Sequence, residues 1–283
     1  MTLTVKIKLI VRNYMVLILL LVSPLLFAQE LQIEGTWRQG ELLKGKVPAG
    51  TKVIIFDHDV HVSKSGNFIF GLGRNASEHV VIAAQFPSGE KRDYRFSVEQ
   101  REYNIQYIEG VKKDHVSPPK ALTKRIKAEA GQVWLARQNK YSDDYFSGGF
   151  LWPLLGPITG VYGSQRFYNG VPKNPHYGLD IAATEGTLVN APAPGLVTLV
   201  HDDMFYSGGT LILDHGQGLS STFIHLSKIL VEKGDYVKQG QGIAEVGATG
   251  RATGPHLDWR INWLNQRLDP FPLLPPKPKK VSN

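Results

Sequence analysis

Turn-forming residues divide this chain into many short segments. The 283 residues include 29 glycines and 17 prolines, and apolar runs such as Lys52–Phe56 and Tyr94–Val98 lie between the breaks. Short runs of this kind, bounded by glycine and proline, are typical of β-strands. The chain is therefore predicted to be mainly β, which excludes an all-helical bundle. Regular turn spacing over residues 29–100 predicts a small β-sandwich-like accessory domain.

The middle of the chain has a different composition. Ala121–Ala130 is rich in helix-forming residues and is bounded by Gly131, so residues 101–147 are predicted to form a short helical connector. Strand and turn composition returns over residues 148–274, which predicts a second β-rich domain. Residues 275–283 are rich in proline and lysine, and they predict a solvated basic tail.

The N-terminal segment predicts export. Residues 1–28 begin with basic residues, continue through an apolar run and end at Ala28, before a polar stretch. This order is typical of a cleaved signal peptide. Leu26 is larger than the residue that such a cleavage site prefers at position −3, so an uncleaved membrane anchor stays open as the alternative. The protein is predicted to lie in the periplasm or cell envelope, with membrane contact only through this segment.

The amino-acid composition limits the kinds of active site, metal site and partner that this chain can have. The sequence has no cysteine, which excludes a disulfide framework, a thiolate metal site, a catalytic cysteine and a lipid-anchored cysteine. The formal net charge is +7, but three basic residues and no acidic ones lie within residues 1–28, which leaves about +4 for the rest. No nucleic-acid partner is predicted from so mild a charge. Any metal must be bound by histidine and carboxylate.

Histidine and aspartate pairs recur in the predicted second domain. His176 and Asp180 flank Gly178, and a strand that begins at this glycine would bring both side chains to one site. His256 and Asp258 are two residues apart, so on a strand they project from the same face. Imidazole and carboxylate ligands can bind zinc with one position left for water, which is the chemistry of metal-assisted hydrolysis.

Other histidines have more ordinary explanations. His225 lies alone in an apolar alternating segment, where an imidazole is more often hydrogen-bonded structure than a ligand. The cluster Asp57–His61 is explained by solvent-facing polar residues at a strand edge, and His215–Gly218 by a polar hairpin turn. The joint occurrence of the histidine and aspartate pairs with His225 in one glycine-rich unit is what makes a metal site the better interpretation.

Three large polar side chains near these motifs have two interpretations. Arg166, Tyr168 and Arg251 either line a groove for an acidic peptide or belong to the solvated surface. The glycine-rich stretches do not follow the spacing of a dinucleotide or P-loop site, so a phosphate-binding loop is not predicted.

A series of segments in the second domain has a recognisable order and spacing. They are Pro175–Ala183, Gly186–Ala191, Gly195–Val197, Gly209–His215, Phe223–Ser227, Gly234–Val237, Gly240–Gly242, Gly247–Gly250 and Gly254–Leu257. Together they resemble the lysostaphin/LytM-type zinc metallopeptidases, which cut the peptide part of peptidoglycan. The resemblance implies a β-rich LytM-type domain built on a duplicated hybrid motif, one zinc ion, a peptidoglycan-peptide substrate and cell-wall enzymes as partners.

The resemblance also implies roles for single residues. His176 and Asp180 match two zinc ligands of the family. His225 matches the imidazole that helps to bind the attacked carbonyl and water, and it would steady the oxyanion, while His256 matches the general base. The family's third ligand is a histidine, and this chain has Asp258 at that position.

Two interpretations of Asp258 stay open. A carboxylate oxygen can replace an imidazole nitrogen at similar reach, so Asp258 can be a metal ligand of a zinc-dependent peptidoglycan endopeptidase. Alternatively, the site has lost its metal, and the domain is a degenerate envelope factor that binds peptidoglycan or activates another hydrolase. A salt bridge that turns Asp258 away toward Arg260 would favour the second interpretation.

Overall fold

The computed structural model describes residues 31–138 and 142–278. The signal peptide or anchor predicted over residues 1–28 lies outside the described residues. In the described part of the chain, no helix is both long and apolar enough to cross a membrane.

Two small antiparallel sheets form the N-terminal part. The strands are β1 (Gln32–Glu34), β2 (Leu42–Lys46), β3 (Lys52–Ile55), β4 (His58–Val60), β5 (Asn67–Gly71), β6 (His79–Gln85) and β7 (Lys91–Ser97). One sheet has the order β1-β2-β5 and the other has the order β4-β3-β6-β7. Alternation places one face of each sheet in the core, where Leu43, Ile55, Phe70 and Ile82 are fully buried.

The segment predicted as a helical connector also contains a strand. β8 (Ile105–Ile108) pairs in parallel with β10 (Gln165–Tyr168), which belongs to the C-terminal region. Two helices follow β8, namely α1 (Lys113–Val116) and α2 (Thr123–Ala136). The segment is therefore part of the C-terminal structure and does more than connect two domains.

The prediction that Gly131 bounds the helix is wrong, because α2 continues to Ala136. Val133 and Ala136 pack against a buried apolar cluster of the C-terminal sheet, formed by Leu199, Met204 and Ile212. This packing offsets the cost of about 1 kcal/mol of a glycine inside a helix. Tertiary contacts decide where the helix ends.

A ten-stranded sheet dominates the C-terminal region. Its strands are β9 (Ile158–Gly160), β12 (Leu179–Ala182), β13 (Leu188–Asn190), β14 (Gly195–Met204), β15 (Gly208–Gly216), β16 (Leu219–Ile229), β17 (Tyr236–Val237), β18 (Gly242–Val246), β19 (His256–Trp263) and β20 (Gln266–Leu268). The main path has the order β17-β14-β15-β16-β19-β12-β9. β11 (Val171–Pro172) joins β10 and β8 in a separate small sheet.

The two faces of strand β19 differ, because one packs in the core and the other is polar. Its apolar residues are at most 1% exposed and lie in the main core: Leu257, Trp259, Ile261 and Trp263. The residues that alternate with them are polar: His256, Asp258, Arg260 and Asn262. β12 and β16 flank β19 on either side, so polar residues of three neighbouring strands meet on one face.

The N-terminal sheets pack directly on the C-terminal region, and residues from 31 onward form one compact unit. Arg101 Nη1 donates to Asp269 Oδ2 at 2.8 Å across this contact. Near the C-terminus, Trp152 Nε1 donates to the carbonyl oxygen of Pro275 at 2.9 Å. This hydrogen bond holds the start of the predicted tail against the C-terminal region. The mainly β fold class predicted from the sequence is confirmed.

Candidate metal centre and groove

Three side chains predicted as metal ligands converge on one buried point. Asp180 on β12 lies opposite Asp258 on β19 in an antiparallel pair, and His176 precedes β12. His176 Nε2 lies 2.8 Å from Asp180 Oδ1 and 3.4 Å from Asp258 Oδ2. One ligand-type atom from each residue lies within 4.8 Å of the other two. The structure thus brings together residues that are 82 positions apart in the sequence.

The backbone orients the imidazole of His176. Its Nδ1–H donates to the carbonyl oxygen of Val161 at 3.1 Å, which turns the Nε2 atom and its lone pair toward both carboxylates. Burial lowers the pKa of His176, but the negative charges of Asp180 and Asp258 outweigh burial and raise it above its ordinary value. The two carboxylates therefore favour a positive charge at this point of the site.

The set of ligand atoms fits a divalent cation. Asp180 Oδ1 is buried, lies 2.8 Å from His176 Nε2 and has no other polar partner among the described residues. One imidazole nitrogen and two carboxylate oxygens are ligands that zinc accepts, with a fourth position left for water. The residues present therefore fit the zinc ion predicted from the sequence.

Gly178 is expected to be necessary for this arrangement. A Cβ atom at this position would lie 2.1 Å from Asp258 Oδ1 and 2.9 Å from the backbone oxygen of Trp259. We predict that Gly178→Ala displaces the Asp258 carboxylate and weakens zinc binding about tenfold or more in equilibrium dialysis. Gly148→Ala is the matched control, since a Cβ there meets no atom within 4 Å. Equal zinc affinity in the two variants would contradict the prediction.

Each carboxylate of the site also forms an ion pair with an arginine. Arg260 Nε and Nη2 donate to the two oxygens of Asp258 at 2.9 and 2.6 Å. Arg166 Nη2 donates to Asp180 Oδ2 at 2.6 Å. Burial raises the pKa of both aspartates, but the positive charges around them, including that of His176, outweigh burial and hold both pKa values below the ordinary range. Both carboxylates are therefore ionised, as metal ligands must be.

The salt bridge that would favour a degenerate site is present, but it does not turn the carboxylate away. Asp258 Oδ2 lies 2.6 Å from Arg260 Nη2 and 3.4 Å from His176 Nε2 at the same time. The ion pair thus leaves the Asp258 carboxylate facing His176. The part that Asp258 plays in metal binding remains a prediction.

His225 reaches the site through an irregularity in β16. Simple alternation from Phe223, which is buried in the core, would turn His225 toward the core as well. The pairing with β15 shifts register between Phe223 and Leu226, and His225 adopts a left-handed φ of +67°. An extra residue in one strand redirects side chains and is common beside active sites. The imidazole of His225 consequently lines a groove on the polar face.

One loop, residues 247–255, holds both predicted catalytic histidines. His225 Nδ1–H donates to the carbonyl oxygen of Thr249, and His256 Nδ1–H donates to that of Gly254, each at 2.8 Å. The two ring centroids are 4.8 Å apart, and His256 Nε2 lies 4.0 Å from Asp180 Oδ1. The five predicted site residues therefore lie in one cluster, and the loop engages His225 and His256 through Nδ1 and not through Nε2.

A groove of about 870 Å³ is lined by these two histidines and by Asp180. Its wall includes Gln106 and Lys112, from the segment that was predicted as a connector. Arg166 Nε donates to Gln106 Oε1 at 3.1 Å, which links that wall to the metal centre. The sequence analysis did not predict that these residues line the groove. The strand beside them, β8, is only four residues long and gives a weak pattern in the sequence.

The C-terminal region matches a described family. The model of peptidase family M23 matches residues 174–270, which contain all five site residues. Residues 174–270 belong to peptidase family M23. M23 peptidases are zinc metallopeptidases, in agreement with the ligand set of the candidate site.

Relatives share this M23 domain within longer proteins. Peptidoglycan DD-endopeptidase ShyB of Vibrio cholerae is 39% identical over 109 residues, which are 38% of this chain and 25% of ShyB. The lipoprotein NlpD/LppB homolog of Pseudomonas aeruginosa is 32% identical over 128 residues, which are 45% of this chain and 40% of that protein. The matched region thus spans a quarter of ShyB and two fifths of the lipoprotein.

A solved structure resembles more than the M23 domain. The crystal structure of an M23 peptidase candidate from Pseudomonas aeruginosa has a TM-score of 0.65 and 27% sequence identity, and the match covers 83% of this chain and 94% of that chain. The coverage extends well beyond residues 174–270. The other chain therefore shares part of the structure that precedes the M23 domain here.

Histidines outside the M23 site have structural roles. His215, at the end of β15, is buried; its Nδ1–H donates to the carbonyl oxygen of Pro194 at 2.6 Å, and its Nε2 accepts from the Ser221 hydroxyl at 2.7 Å. Trp259 Nε1 donates to the same Ser221 oxygen at 3.1 Å. The cluster Asp57–His61 lies on the edge strand β4, where its polar side chains are exposed. The exposed cluster agrees with the sequence interpretation. The prediction of a polar hairpin turn over His215–Gly218 is wrong for His215, which is a buried residue of β15, because only Gln217 and Gly218 form the turn.

His215 makes the fold sensitive to acid. Burial lowers the pKa of His215 from 6.5 to about 4. The folded state favours the neutral ring, so this stability is complete above pH 6.5 and is lost as the pH falls toward 4, by about 3 kcal/mol. We predict that the free energy of unfolding, measured by urea titration, decreases between pH 7 and pH 4.5. His215→Phe should flatten this decrease, and an unchanged pH dependence in the variant would contradict the prediction.

Proposed function

We propose that this protein is a zinc-dependent endopeptidase that hydrolyses peptide cross-links of peptidoglycan. The observation that carries the proposal is the convergence of His176, Asp180 and Asp258 beside a groove that His225 and His256 also line, within an M23 domain. The name of the relative ShyB, a peptidoglycan DD-endopeptidase, supports the substrate class.

The residues of the site have separable tasks in this proposal. A bound zinc ion supplies a Lewis acid that polarises a carbonyl and acidifies water. His176, Asp180 and Asp258 would hold one such ion. His256 accepts the proton of the attacking water at Nε2, since its Nδ1–H is engaged with the Gly254 carbonyl.

The task proposed for His225 differs from the one that the resemblance implies. An oxyanion needs a hydrogen-bond donor, but the single N–H of a neutral His225 ring is used by the Thr249 carbonyl. The remaining ring nitrogen is an acceptor. We therefore assign His225 to orienting the attacking water rather than to steadying the oxyanion.

Location in the cell envelope is part of the same proposal. A peptidoglycan hydrolase must leave the cytoplasm to reach its substrate, and residues 1–28 have the composition of an export signal. The lipoprotein relative also supports the envelope as the site of action.

The second candidate function is that of a non-catalytic envelope factor, and its support is that Arg260 donates to both oxygens of Asp258, even though this carboxylate still faces His176. A carboxylate that is committed to an arginine has less negative charge to offer a metal ion. Such a factor would use the groove to bind peptidoglycan without hydrolysis, and cell-wall enzymes would be its partners.

Digestion of purified peptidoglycan separates the two functions. The zinc-loaded protein is expected to release soluble peptides that mass spectrometry identifies as cleaved cross-links. His176→Ala should reduce release at least about 100-fold, because it removes a ligand of the catalytic metal. Asp93→Asn, an exposed change on β7, is the control and should leave release unchanged. Binding of the wild-type protein without release, with zinc or manganese, would favour the envelope factor.

A further inference from the structure

Arg251 lines the groove but has no part in the metal centre. It belongs to the loop that holds the two catalytic histidines, and its backbone N–H donates to the carbonyl oxygen of Tyr206 at 2.8 Å. The next residue, Ser207, accepts from the backbone N–H of His225 at 2.8 Å. The backbone of Arg251 is therefore fixed by the same short segment that fixes His225.

Aromatic rings hold the guanidinium group of Arg251. Its central carbon lies 4.7 Å from the ring centroid of Tyr168 and 4.6 Å from that of Tyr206. Its hydrogen bond to the carbonyl oxygen of His115 is long, at 3.4 Å. Arginine that stacks on aromatic rings keeps the N–H groups in its own plane available for a planar partner.

The charge of Arg251 has no counterion in the described part of the chain. Arg166 and Arg260 form ion pairs with Asp180 and Asp258, but no carboxylate within residues 31–138 and 142–278 forms one with Arg251. Burial, together with repulsion from the other two arginines, lowers the pKa of Arg251. A half-buried cation with free donors and no counterion among the described residues is suited to binding an anion.

We propose that Arg251 binds a carboxylate group of the peptide substrate, and so selects peptides that carry a free carboxylate near the scissile bond. This inference rests on the proposed function. A guanidinium group matches a carboxylate through two parallel hydrogen bonds, which adds orientation to affinity. The other unpaired charges that line the groove, on Glu109 and Lys112, are exposed and more strongly screened by solvent.

A pair of synthetic peptides tests the proposal from the substrate side. Diacetyl-Lys-D-Ala-D-Ala has a free carboxylate next to a D–D peptide bond, and its C-terminal carboxamide has the same shape without the charge. The wild-type protein is expected to show a KM about tenfold or more lower for the free acid. Arg251→Gln should raise the KM of the acid to that of the amide and leave the amide unchanged. For Arg251→Lys, the KM of the acid should lie between those of the wild-type protein and Arg251→Gln, since lysine keeps the charge but loses the pair of parallel hydrogen bonds.

The same peptides give a binding test that does not need catalysis. Calorimetric titration of the metal-free protein should show tighter binding of the acid than of the amide, and Arg251→Gln should remove the difference. Arg95→Gln, on the exposed edge strand β7, is the control and should keep it. If Arg251→Gln weakens acid and amide equally, or if the wild-type protein does not distinguish them, the proposal is wrong. Tighter binding of the acid than of the amide, without any turnover of either peptide, would contradict the proposed endopeptidase function but still support carboxylate binding by Arg251.

Discussion

Asp258→Asn is expected to lower zinc affinity and peptide release together. The amide has the same shape as the carboxylate, but it removes the negative charge that faces His176 Nε2 at 3.4 Å. We expect zinc affinity, measured by competition with a chelating dye, to fall about 100-fold or more, and peptide release at limiting zinc to fall in proportion. Asp258→His should retain much of both, because imidazole nitrogen is also a zinc ligand and the resemblance noted from the sequence implies a histidine at this position.

The contribution of Arg260 can be separated from that of the metal. Asp258→Asn also weakens the ion pair with Arg260, so the free energy of unfolding should be measured in metal-free protein. Loss of zinc affinity in a variant that remains folded would assign Asp258 to the metal. Zinc affinity equal to that of the wild-type protein would show that Asp258 serves only Arg260.

His256→Ala is expected to stop turnover without loss of the metal. His256 Nε2 lies 4.0 Å from Asp180 Oδ1, at the edge of the ligand cluster, and it faces the groove. Removal of a general base typically lowers kcat by about 10² to 10⁴, and zinc affinity should stay within about twofold. The measurements are kcat for a peptide substrate and dye competition for zinc. A large loss of zinc affinity would instead identify His256 as a ligand.

The sequence predicts the metal centre well where strand periodicity decides the geometry. His256 and Asp258 project from one face of β19 because residues two apart on a strand do so, while Leu257 and Trp259 fill the core. For His176 and Asp180, convergence was predicted on the condition that a strand begins at Gly178, and β12 begins at the next residue, Leu179. Local alternation therefore groups His256 with Asp258, whereas the pairing of β12 with β19 brings Asp180 beside Asp258.

Other features depend on contacts between distant parts of the chain. The left-handed φ of His225 arises from a register shift between two long strands, and alternation by itself would have placed this ring in the core. The segment Ile105–Ile108 is a strand because it pairs with β10, which lies about 60 residues further along the chain. The ion pairs that Arg166 and Arg260 form with Asp180 and Asp258 likewise depend on side-chain positions that local patterns do not determine. Arg166 approaches Asp180 from another sheet.

Removal and return of the metal tests the central claim most directly. The purified protein would be treated with a chelator, transferred to metal-free buffer and titrated with zinc while peptide release from peptidoglycan is measured. Release should disappear on chelation and return fully with about one equivalent of zinc, since His176, Asp180 and Asp258 each offer one ligand atom around a single point. Undiminished release by metal-free protein, or no release at any zinc concentration, would contradict a zinc-dependent endopeptidase.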